Sequence, residues 1–180
     1  EMQQNFMDEI EKRGKDRIES KKKKIDLLSL ESEGCTSANV KTSLTVEDLL
    51  KEQETFLGAG KKLKELGNLK GKISNKAATV QKEHKFFSKN TVCPTCTQNI
   101  EETFRVNKID HLQEVISKYE TNLSEIEQAI TKEEERELMF FKLQREITTL
   151  QNETSQLNVR ISNSNKLRKD LESEIQDITD

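Results

Sequence analysis

Stepping alternately three and four residues from Ile109 picks out Leu112, Ile116, Tyr119, Leu123, Ile126, Ile130, Glu133, Glu137 and Phe140, an almost wholly apolar seam along one side of a helix. Leu143 then follows Phe140 at three residues where four are due, the irregularity of a stammer, which overwinds a coiled coil locally. Alternation resumes through Ile147, Leu150, Thr154, Leu157, Ile161, Ser164, Arg168, Leu171, Ile175 and Ile178. A helix carrying so long a seam must bury it against another helix.

The first half of the chain offers that partner. The same alternation runs through Leu49, Glu52, Phe56, Ala59, Leu63, Leu66, Lys70, Ile73, Ala77, Val80, His84 and Phe87, and a shorter run joins Ile18, Lys21, Ile25 and Leu28. Residues 31–43 contain Gly34, Cys35 and several Ser, Thr and Asn residues, a composition that favours loops and caps and predicts a break there. Thr45 with Asp48 three residues later has the form of a capping box restarting the helix.

Between the two seams, residues 88–99 gather turn-forming residues around Cys93-Pro94-Thr95-Cys96, with the chain's only proline. A reversal midway between the two cysteines sets Val80 opposite Ile109, Ala77 opposite Leu112, Ile73 opposite Ile116 and Leu63 opposite Ile126, core position against core position. The predicted fold is therefore all-α: a long antiparallel intramolecular coiled-coil hairpin, with an ascending arm over 1–87, an apex over 88–99 and a descending arm over 100–180. Arms of about 85 residues would reach roughly 130 Å. Composition agrees, since 35% of the 180 residues are charged and 4% aromatic, against roughly 25% charged in an average globular domain.

The CxxC apex has the spacing of a zinc knuckle, in which a turn brings two thiolates to one side. Structural zinc takes four ligands, and Cys93 and Cys96 supply two. His84 and His111 lie down the arms, and Cys35 is on the order of 85 Å away along a helical arm. The missing pair is expected from a second copy related by twofold symmetry, so that one zinc ion is shared between two chains and metal binding equals homodimerisation. The rival reading is a thiol redox pair, which should accompany a βαβ pattern that the residues before Cys93 do not supply.

Heptads, a central Cys93-Pro94-Thr95-Cys96 and heptads again resemble the zinc-hook region of the double-strand-break repair ATPases related to chromosome-maintenance proteins. The short arms look most like the phage recombination endonuclease subunit. The resemblance implies Cys93 and Cys96 as metal ligands, Pro94 as a hook residue, and a full-length DNA repair and recombination ATPase that partners a nuclease subunit and DNA. It implies no enzyme activity for the segment itself, because the ATP-binding head is not in this sequence. The alternative function is a coiled-coil scaffold binding a protein partner through its arms, with incidental or redox-active cysteines.

The remaining signals are weaker. Net charge is −3, with 30 basic and 33 acidic residues well mixed, so no broad footprint for nucleic acid or membrane emerges. No apolar stretch nears membrane-spanning length, and the cysteine usage fits a reducing compartment, so a soluble cytoplasmic location is expected, in the host cell if phage-encoded. The absence of an initiator Met suggests a fragment or processed chain. Gly67 to Lys72 superficially matches a phosphate loop but lacks its spacing and final Ser or Thr, and reads as glycine-weakened helix. Lys21 to Lys24 reads as a solvated face, Cys35 as a small buried residue. Lys21 opposite Arg168 predicts local opening, and Glu133 and Glu137, opposite Phe56 and Glu52 and next to the stammer, predict a second bendable zone.

Overall fold

The computed structural model describes residues 2–179 and contains three helices, α1 (Met2–Glu54), α2 (Ala59–Lys89) and α3 (Glu102–Thr179). No strand occurs among the described residues, only an isolated bridge at the apex. Two long helices pack against the third. The chain forms two compact units, one joining α1 to the part of α3 from Lys142 onward, the other spanning Thr55–Phe141.

In the first unit the helices run antiparallel, because partners of rising number on α1 meet falling numbers on α3. Lys21 pairs with Glu174, the Ser32 hydroxyl donates to Asn165 at 3.4 Å, the Asn39 amide to Asn158 at 2.7 Å and the Gln53 amide to Gln144 at 2.8 Å. The core holds Cys35, Leu143, Ile147 and Leu171 together with buried Gln53 and Ser164, and Ile147 is the most deeply enclosed at 1% exposure.

Two expectations fail in this unit. The break at 31–43 is absent, and α1 runs through it. Its polar residues are accommodated in helical form: Thr36, Thr42 and Thr45 donate to the carbonyls of Ser32, Ala38 and Lys41, while Ser32 and Asn39 pair across to α3. Thr45 is thus a mid-helix residue and caps nothing. Nor do Lys21 and Arg168 confront each other. Lys21 meets Glu174, and the Arg168 guanidinium donates to the Ser29 hydroxyl at 3.2 Å and lies 3.8 Å from Glu172, so each cation has its own acceptor.

In the second unit α2 packs antiparallel on α3, with ion pairs Lys62–Glu133 at 2.7 Å, Lys70–Glu127 at 2.9 Å and Glu83–Lys108 at 2.9 Å. Ala59, Ala77, Leu112, Ile116 and Ile126 form its core. The glycines at 67 and 71 lie within uninterrupted helix. Among the described residues the ascending arm is interrupted at residues 55–58, where Gly58 adopts a left-handed conformation with φ 82° and no side chain caps α2. The chain's polarity there is managed from α3. Arg136 donates to the Thr55 carbonyl at 2.9 Å and to Glu133 at 2.7 Å, and the other Glu133 oxygen takes Lys62. Glu133 is buried at 4% exposure, and the two cations beside it, Lys62 foremost through its hydrogen bond, hold its carboxyl below the ordinary value.

Every position of the descending heptad frame, across its slip at Phe140–Leu143, is buried or half-buried. On the ascending strand the inward positions Val46, Leu49 and Gln53 are followed by Phe56, Ala59 and Leu63. That sequence contains the same doubled step of three.

Candidate metal-binding apex

α2 ends where Asn90 turns extended, with φ −121° and ψ 123°. Its backbone N–H and its side-chain amide both donate to the Phe86 carbonyl, at 3.1 and 2.8 Å, satisfying an acceptor that the helix end would leave open. A short antiparallel ladder follows. Ile100 N–H donates to the Thr91 carbonyl at 2.8 Å, Val92 is bridged to Asn99, and Cys93 N–H donates to the Gln98 carbonyl at 2.8 Å. These pairings centre the hairpin between Thr95 and Cys96, one residue later than the midpoint of the two cysteines, because the turn closes on Gln98 instead of on Cys96.

Inside the ladder, Thr97 N–H donates back to the Cys93 carbonyl at 2.8 Å and closes the turn that carries both sulfurs. Thr97 adopts φ 61°, a left-handed conformation costly for a β-branched residue, and its hydroxyl donates to the Cys96 carbonyl at 2.7 Å. Cys93 is half-buried, Cys96 exposed, and neither is in a disulfide. The Cys96 thiol lies 3.7 Å from the Gln98 side-chain oxygen. Backbone N–H groups of Cys96 and Thr95 point at the Cys93 sulfur and, with the Cys96 side chain, hold its thiol below the ordinary value, favouring the thiolate. A soft anionic donor held by backbone amides in a two-cysteine turn suits zinc or another thiophilic metal.

α3 starts immediately beyond. The Glu101 carboxylate accepts the backbone N–H groups of Thr103 at 3.1 Å and Phe104 at 2.8 Å, which, Phe104 first, hold its own carboxyl below the usual range. Arg105 reaches back to α2. Its guanidinium donates to the Phe87 carbonyl at 3.1 Å and is gripped by both Glu102 oxygens at 3.0 and 2.8 Å. The Phe87 and Phe104 rings meet edge to face at 5.9 Å beside this contact.

The fold therefore brings Cys93 and Cys96 into one turn and leaves the other candidate ligands elsewhere: His84 half-buried on α2, His111 exposed on α3, Cys35 buried in the other unit. Among the described residues no three His, Cys, Asp or Glu side chains converge as a metal cage. The heptad reading overlooked Glu101 and Arg105, although an acidic residue opening a helix pattern and an arginine one turn later are legible as a helix start. Among the described residues no helix is long and apolar enough to cross a membrane. Compared with protein families, curated proteins and solved structures, the chain matches none of them.

Proposed function

We propose that this chain is a zinc-mediated dimerisation and tethering module, in which Cys93 and Cys96 of two copies together hold one ion. The observation that carries the proposal is the apex turn itself: two free cysteines three positions apart, with the backbone amides of Thr95 and Cys96 aimed at the first sulfur. Zinc, when bound, would supply the bond between copies, since neither hairpin alone offers four ligands. The likeness to the zinc hooks of double-strand-break repair ATPases supports a place in a recombination or repair complex containing a nuclease, where joining the tips would tether what the opposite ends hold.

The apex does not favour the redox reading. Redox CxxC pairs draw on a helix N-terminus to stabilise the thiolate, whereas α3 begins only at Glu102 and its first amides are taken by Glu101. Sedimentation of the 180-residue chain with zinc, and again with excess chelator, tests the proposal. A dimer that reverts to monomer on chelation supports it. An unchanged association state in both would favour the coiled-coil scaffold reading instead.

A further inference from the structure

The ladder from Thr91 to Ile100 and the two helices below it are joined near their base by Arg105. It sits in the first turns of α3, its side chain is 16% exposed, and it is the residue through which the start of α3 grips the last turn of α2. The Phe87 carbonyl is among the last four of α2, which have no partner within the helix. A guanidinium also complements the negative end of the α2 dipole. Glu102 orients that guanidinium through two of its nitrogens, and Glu101, one residue earlier, fixes the backbone from which both side chains spring. On the other side, Asn90 fixes the end of α2. Below the ladder, Arg105 thus adds one hydrogen bond between the two helix ends, from a guanidinium whose other nitrogens are held by Glu102.

We infer that Arg105 is a positioning residue for the two-cysteine turn: by clasping the Phe87 carbonyl it braces the helix ends from which the ladder carrying both thiolates springs. The inference rests on the metal-linked dimer proposed above. Because each dimer would contain two such clasps, its loss should be felt in the affinity for metal more than in the fold. The helices themselves are held by the core far below, at Ala77, Leu112 and Ile116.

The test is zinc competition against a chromophoric chelator on the full 180-residue chain, with helix content followed by circular dichroism. Arg105→Ala should weaken zinc retention about tenfold, the scale seen when groups that orient metal ligands are removed, at unchanged helix content. Arg105→Lys keeps the charge but not the fork and should recover only part of the loss. Full recovery by lysine, or wild-type zinc retention in Arg105→Ala, would overturn the inference and leave the shared metal site standing. Failure of the wild-type chain to retain zinc would instead remove the metal site and the inference with it. Should Arg105→Ala lose helix, Glu102→Gln makes the same comparison, since it removes the anchor of the clasp while sparing the contact with Phe87.

Discussion

Among the described residues the chain departs from helix at two places within one unit, and they are built by opposite means. At the apex the backbone reverses through its own ladder, with Pro94 fixing one torsion and each strand supplying partners to the other. At residues 55–58 there is no ladder. A left-handed glycine ends the irregular stretch, Arg136 of α3 donates to the Thr55 carbonyl, and Glu133 holds Arg136 and, just beyond the stretch, Lys62. The left-handed position is glycine at the break and threonine at the apex. The first interruption is thus free of left-handed strain and held by α3, while the second is built by its own ladder and carries strain at Thr97 beside its cysteines.

The largest effect expected is at the apex. Cys93→Ser or Cys96→Ser should abolish zinc-dependent dimers outright while leaving helix content intact, as read by sedimentation and circular dichroism. Zinc-dependent dimers persisting in either variant would mean that the apex is not the junction. Ile147→Ala supplies the contrast from the core of the other unit. It should cost about 2–5 kcal/mol in chemical denaturation and leave the metal stoichiometry of the folded chain unaltered.

Gly58→Ala should cost roughly 1–2 kcal/mol, from conformation alone, because beyond its chain neighbours nothing lies within 4 Å of the added carbon. A neutral result would show that the break can be re-formed without its left-handed residue. Acid gives a smaller and more local effect. Lys62 and Arg136 lower the Glu133 carboxyl from 4.5, so its contribution is fully present above that value and is lost as pH falls through the lower folded one. Thermal melts below about pH 4.5 should therefore decline less steeply in Glu133→Gln than in the wild type. The smallest expected change is Thr97→Gly, where relief of left-handed strain is offset by greater backbone freedom in the unfolded chain, leaving a net shift within about 1 kcal/mol.

The same contrast explains what the sequence discloses. Apolar periodicity reports burial, and it located Leu112, Ile116, Ile126, Leu143, Ile147 and Leu171 correctly, stammer included. It also located the apex, because Pro94 and its polar neighbours act through local backbone preferences. The break expected at residues 31–43 does not form, because Ser32, Asn39 and Thr42 look like loop residues until their partners on α3 and in the preceding helical turn are known. Residues 55–58 leave the helix at the level where Glu133 and Glu137 interrupt the apolar seam opposite Phe56 and Glu52. Arg136, whose guanidinium donates to the Thr55 carbonyl there, lies 81 residues further along the chain. The apex register slipped by one residue for a related reason: the spacing of the cysteines reveals the turn, but not which carbonyl closes it.

The most direct test of the central claim is native mass spectrometry of the chain loaded with limiting zinc. The shared-apex account predicts a species of two chains and one zinc ion that chelation returns to single metal-free chains. A single chain carrying its own zinc ion, or a dimer equally abundant without metal, would contradict it.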